Sequence, residues 1–222
     1  MRSLLTGIMI GAMPFLVSCG AENVSETKVI IGENDLSFYS VDDEITNSIG
    51  KMALGCTATH IGEGIVITAG HCLSSLTCNE SHYDITWAFT KENPKGTHTS
   101  KCIEVIAHEF NYSTRDYAIL RYENPPETSL KVQKGIRPEK GEKLTIFSHP
   151  NGVPLSWSGW CEHVGDHDQG DRFEYHCDTK RGSSGAAVLN EDYEIVGIHN
   201  QGSTYLGFNS GTYLMDIPEF KK

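Results

Sequence analysis

Ser184, His71 and Asp116 are the residues best suited to chemistry, and each stands at the edge of a short apolar run. Ser184 lies in Lys180-Arg181-Gly182-Ser183-Ser184-Gly185-Ala186-Ala187-Val188-Leu189, where glycines flank a pair of serines. A serine hydroxyl is a weak nucleophile until a neighbouring base takes its proton. His71 closes Ile65-Val66-Ile67-Thr68-Ala69-Gly70-His71, and an imidazole with its ordinary pKa of about 6.5 can accept and return a proton near neutrality. Asp116 opens Asp116-Tyr117-Ala118-Ile119-Leu120 and could hold the imidazole tautomer and stabilise its charged form. The N–H groups of Gly182 and Ser184 could face a developing oxyanion, a role worth a factor of about 100 to 1,000 in rate per donor. Glycine and serine are also ordinary turn residues, so this loop alone would read as a surface turn.

The order His, Asp, Ser is one of the known orders of a nucleophilic triad. Thr68-Ala69-Gly70-His71-Cys72, Asp116-Tyr117-Ala118-Ile119-Leu120 and Gly182-Ser183-Ser184-Gly185-Ala186-Ala187-Val188 closely resemble the signature segments of chymotrypsin-like serine peptidases. The resemblance runs from residue 30 to about residue 217. It implies an all-β chain of two six-stranded antiparallel β-barrels with the site in the cleft between them. It also implies an acyl-enzyme mechanism with Ser184 as nucleophile, His71 as base and Asp116 as its orienter. A binding protein that kept this fold is the alternative class; such proteins usually lose a triad member or the oxyanion glycine, and this chain has all of them.

The substrate-binding segments give conflicting signs. Gly197-Ile198-His199 resembles the segment of bacterial glutamyl endopeptidases whose histidine holds the substrate carboxylate. Thr179 matches the hydroxyl residue that assists it, and both side chains can donate to a carboxylate. Gly202 is assigned to the same group. Asp178, however, stands where trypsin-like enzymes carry the acid that selects Lys or Arg. Cleavage after Glu is the expectation and cleavage after Lys or Arg the alternative, depending on whether Asp178 enters the pocket or bonds to backbone. Ile30-Ile31-Gly32 resembles the mature start of trypsin-like enzymes, which points to processing near Lys28–Ile30. Ser183 departs from that pattern, because trypsin has an aspartate there to pair with the new N-terminus.

The elements that must position these residues read as short strands. Apolar runs such as 64–69, 85–89, 103–107 and 117–122 alternate with turn residues, the pattern of a barrel or sandwich. Asn124-Pro125-Pro126-Glu127-Thr128 stops the pattern, since proline fixes φ and removes a donor. Residues 1–18 read as an export signal, 19–29 as a tether or propeptide, 30–124 as the first barrel, and 125–222 as connector and second barrel. Trp87, Trp157 and Trp160 are expected in barrel packing. The stretch Glu162 to Asp171 fits no calcium loop and is expected to be a solvated hairpin tip.

Leu16-Val17-Ser18-Cys19 resembles a bacterial lipoprotein box with Cys19 as the lipidated residue; an ordinary cleaved signal is the alternative. Setting Cys19 aside leaves six of the seven cysteines, an even set suited to disulfides in an exported protein. Cys56 and Cys72 have the spacing of the peptidase family's disulfide beside the histidine, although Cys72 could also be a reactive thiol or join His71 on a metal. Cys78 and Cys102 then pair by elimination, and Cys161 with Cys177. The chain has a net charge of −11, which argues against nucleic acid. The expected partners are protein or peptide substrates, with no cofactor or metal and a monomeric state. The expected location is outside the cytoplasm, either as a cell-envelope lipoprotein through Cys19 or secreted after processing.

Overall fold

A computed structural model describes residues 29–78, 81–111, 113–167, 171–203 and 205–221. The expectations placed on Cys19 and on the export signal lie outside these residues. The strands are short because valine, isoleucine and aromatic runs are cut by Gly, Pro, Asn and Asp turns. In chain order they are β1 (Ser37–Phe38), β2 (Ile49–Met52), β3 (Thr57–Gly62), β4 (Ile65–Thr68), β5 (Ile85–Trp87), β6 (Thr99–Phe110) and β7 (Asp116–Glu123). After the connector follow β8 (Lys143–Ser148), β9 (Ser156–Asp166), β10 (Arg172–Tyr175), β11 (Ala187–Leu189), β12 (Ile195–Ser203) and β13 (Phe208–Tyr213). One short helix, α1 (Glu44–Ser48), is capped by Asp43, whose carboxylate accepts the Thr46 N–H at 2.8 Å.

Strands β2-β3-β4-β7-β6-β5 close one antiparallel barrel. The other runs β9-β10-β13-β12-β11-β8 and closes through the β8–β9 pairing. Closure removes the exposed edges that a six-stranded open sheet would leave. Trp87 and Tyr83 fill the first interior, and Phe173, Tyr175 and Tyr213 the second. Phe173 stacks on Tyr213 with ring centroids 4.4 Å apart. Trp160 departs from the packing expected of it: it is 38% exposed and lies against Tyr193.

The chain ends cross over, which corrects the boundaries expected from sequence. β1 pairs with β9 of the second barrel, and Val29 forms a bridge with Thr179. The first residues of the expected N-terminal barrel therefore belong to the other one. Conversely, the turns after β13 reach back to the first barrel: the Arg115 guanidinium donates to the Asp216 carbonyl at 3.2 Å, and Tyr117 Oη to Glu219 at 3.4 Å. Residues 168–170 of the expected solvated tip lie outside the described residues, and the end of β9 that leads to them is held by side-chain bonds. Asp166 accepts from Arg137 at 2.7 Å and from Tyr213 Oη at 2.6 Å, and His163 is buried. Disulfides join Cys56 to Cys72, Cys78 to Cys102 and Cys161 to Cys177. Cys72 is thus neither a free thiol nor a thiolate ligand.

Candidate active site

His71 sits in a single 3₁₀ turn, Gly70–Cys72, at the end of β4, and the Cys56–Cys72 disulfide ties that turn to the β2–β3 hairpin. Asp116, the first residue of β7, meets it from the neighbouring strand. The Asp116 carboxylate is 3% exposed and accepts twice from His71, from Nδ1–H at 2.6 Å and from the backbone N–H at 2.9 Å. A carboxylate can only accept, so Nδ1 carries a hydrogen, and His71 lines the cleft.

The second barrel grips Asp116 from behind. Its N–H donates to Thr212 Oγ1 at 3.0 Å, and its carbonyl accepts from Asn200 Nδ2 at 2.6 Å. Thr212 Oγ1 donates in turn to Asn200 Oδ1 at 2.8 Å. These buried groups are all satisfied, as buried polar atoms must be to avoid a desolvation penalty of about 1–3 kcal/mol each. The register of the two barrels is therefore fixed at the site.

Ser184 lies on the loop before β11, with Gly182 and Gly185 at φ +94° and +86°. A Cβ at Gly185 would stand 2.1 Å from Thr68 Oγ1, and one at Gly182 2.6 Å from the His149 carbonyl. The positive φ and the close contacts exclude other residues from both positions. The Ser184 hydroxyl donates to the Asn200 carbonyl at 3.4 Å, and it shares its cavity walls with His71. The Arg181 carbonyl accepts from the Asn151 N–H, so the Gly182 N–H on the same planar peptide faces the other way. Among the described residues, neither the Gly182 nor the Ser184 N–H donates to a protein acceptor. Gly182 and Ser184 both line the cavity that His71 also lines.

Beside Ser184 a cavity of about 190 Å³ is walled by Thr179, His199, Asn200 and Gly202. His199 is buried, and burial pushes its pKa down to about 3, keeping the ring neutral. Tyr175 Oη lies 2.6 Å from His199 Nδ1 and 3.5 Å from the Ser210 carbonyl. A tyrosine that gives its hydrogen to Nδ1 leaves His199 Nε2 as an N–H donor. Thr179 Oγ1 donates to Asn209 Oδ1 at 2.9 Å, and Val29 is buried against Gly202.

Asp178 does not enter this cavity, which corrects its assignment to substrate binding. Its carboxylate accepts the N–H of Ile31 at 2.8 Å and that of Asp35 at 2.7 Å. It anchors the N-terminal segment. Ser183, in the place of trypsin's aspartate, is fully buried with its Oγ 2.9 Å from Ser148 Oγ. Val29, not Ile30, is the residue clamped to Thr179, by N–H to carbonyl bonds of 3.2 and 3.1 Å. Sequence reasoning passed over Tyr175, Asn200, Thr212 and Val29; only the period-2 alternation of β10 hinted that Tyr175 points inward.

Residues 56–198, more than half of the chain, match the family described as a trypsin-like peptidase domain. The chain belongs to the trypsin-like peptidase family. Among curated relatives, a glutamyl endopeptidase of Staphylococcus epidermidis is 27% identical over 172 residues, covering 71% of this chain. The chain spans 57% of that relative's length. Solved folds agree with the two-barrel architecture of this family. A Glu endopeptidase in complex with MPD superposes with a TM-score of 0.67 at 21% identity, over 87% of this chain and 96% of that one. The Vibrio cholerae VesB protease gives 0.66 at 15% identity, over 85% and 66%.

Proposed function

We propose that this chain is a serine endopeptidase that cleaves after glutamate. The observation that carries the proposal is one cleft holding a hydroxyl, an oriented imidazole, the backbone of Gly182 and Ser184 and a neutral histidine pocket. Rotation of the Ser184 side chain brings Oγ toward His71 Nε2. His71 takes the hydroxyl proton as Oγ bonds to the scissile carbonyl carbon, and the oxyanion is held by the N–H groups of Gly182 and Ser184. The tetrahedral adduct then collapses. The C–N bond breaks, the amine leaves with the proton from His71, and water hydrolyses the acyl-enzyme by the same steps.

His199 Nε2–H offers a donor for a substrate carboxylate in the 190 Å³ cavity, and Thr179 lines the same cavity with its hydroxyl hydrogen given to Asn209 Oδ1. With Asp178 turned away to the backbone, no carboxylate among the lining residues opposes that charge. Glutamyl specificity is the activity named for the Staphylococcus epidermidis relative, and it suits this pocket. Val29 is bonded to Thr179, which lines that pocket, and processing is placed at the Lys28–Val29 bond. Export fits the three disulfides, with Cys19 as the site of a lipid anchor.

The test is kcat/KM on matched peptides with Glu, Gln, Lys or Arg before the scissile bond. Wild type should favour Glu by at least about tenfold, His199→Gln should erase the preference, and Ser184→Ala should abolish turnover with its fold intact. Preference for Lys or Arg would overturn the specificity, and wild-type turnover in Ser184→Ala would overturn the mechanism. Terminal sequencing of active protein should find Val29 first.

A further inference from the structure

The cleft has a second cavity, of about 670 Å³, which meets the glutamate pocket at His71, Arg181 and Ser184. A bound peptide has a single direction through Ser184. If the residue before the scissile bond enters the smaller cavity, the residues after the bond must enter the larger one. The charges of that larger cavity are one-sided. Lys51, Arg181 and His71 are its ionisable lining residues, and no carboxylate lines it. In a chain of net charge −11 this is a local reversal of sign.

Lys51 is built into the wall and not merely present on the surface. It lies in β2, half-buried, with Nζ 4.9 Å above the Phe89 ring and its chain end 3.5 Å from where a Cβ of Gly152 would stand. The ring holds an ammonium that would otherwise lose side-chain entropy on meeting a ligand. Arg181 is anchored by its carbonyl to the Asn151 N–H while its side chain is exposed. Among the described residues neither Lys51 nor Arg181 makes an ion pair. Two cations without acidic partners thus converge on the space the leaving group must cross.

We propose that this cavity is a second specificity site, one that selects Asp or Glu in the first two positions after the scissile bond. The inference rests on Ser184 being the nucleophile and on the smaller cavity taking the residue before the bond. The enzyme would then cut within acidic stretches, holding one carboxylate on each side of the bond. An acidic leaving segment meets Lys51 and Arg181, whereas a basic one meets like charge, so discrimination comes from both attraction and repulsion.

The test uses the mature protein and quenched peptides identical before the bond, with Ala, Lys, Asp or Glu at the first two positions after it. Each is made with Glu and with Gln before the bond. We expect acidic leaving segments to raise kcat/KM by about five- to tenfold over alanine and lysine to lower it. High salt should shrink both effects, because exposed charges are screened within a Debye length of about 3 Å at 1 M. Lys51→Gln and Arg181→Gln should each reduce the ratio, and Lys51→Glu should invert it. A wild-type ratio within about twofold of unity, or one that neither glutamine substitution changes, would overturn the proposal. Loss of the Glu-over-Gln preference with the acidic ratio kept would instead sink the glutamate pocket. If no peptide is cut, anisotropy of the labelled peptides on Ser184→Ala protein reads the same ratios as affinities, and a ratio near unity there overturns the proposal equally.

Discussion

Tyr175 Oη and His199 Nδ1 lie 2.6 Å apart, with both side chains buried inside the second barrel. In the proposed glutamyl pocket, Tyr175 donating to Nδ1 is what puts a hydrogen on His199 Nε2. Tyr175→Phe removes that control and lets the ring adopt the tautomer that accepts at Nε2. We expect kcat/KM for Glu peptides to fall by about tenfold, the scale of one hydrogen bond to a charged group, while activity on Gln peptides changes much less. Equal losses on both peptides would mean the tyrosine is only structural.

Ser183 takes the place where trypsin-like chains carry an aspartate, and its hydroxyl meets Ser148 Oγ at 2.9 Å. Ser183→Asp would bury a carboxylate with no cation beside it, since Val29 is bound at Thr179. Breaking the balance of a buried charge costs several kcal/mol. The expected outcome is a large drop in thermal midpoint with no gain in activity. Unchanged stability would show that a cation can reach the site.

Burial lowers His149 to about 4 and His199 to about 3 from the ordinary 6.5. Both stay neutral in the fold, while the unfolded chain takes up protons as pH drops below about 6.5. Stability therefore declines from pH 6.5 toward 4, by about 1.4 kcal/mol per pH unit for each histidine. Urea unfolding of wild type and His149→Asn across that window should show a shallower slope in the variant. Identical slopes would mean that His149 does not stay neutral.

Asp178 holds two backbone N–H groups of the N-terminal segment. Asp178→Asn can accept at only one amide oxygen, so we expect about 1–3 kcal/mol of destabilisation. The order of preference among Glu, Gln, Lys and Arg peptides should not change. A gain for Glu with no loss of stability would return Asp178 to the pocket.

The barrels were legible in the sequence because short apolar runs such as Tyr117-Ala118-Ile119-Leu120, buried throughout, are cut by turn residues. The segments carrying Ser184, His71 and Asp116 stood out through their joint resemblance to the signature segments of chymotrypsin-like peptidases, since glycine and serine alone are ordinary turn residues. Other features were not. The direction of Asp178 depends on an irregular loop, where no period fixes which way a side chain faces. Asn200 and Thr212 look like ordinary strand polars until the opposite barrel supplies Asp116 as their partner. The reach of β1 into the second barrel is a matter of long-range pairing, which alternation alone does not specify.

Val29 is bonded to Thr179 and accepts from Asn209 Nδ2 at 3.4 Å, and that arrangement sets a timetable. A chain emerging N-terminus first presents Val29 long before the strand bearing Asn209 exists to receive it. The docking of Val29 is therefore among the last contacts to form, since contacts of such sequence separation form slowly. On the proposed reading, Ser184 is then synthesised before the segment that borders its substrate site is held in place.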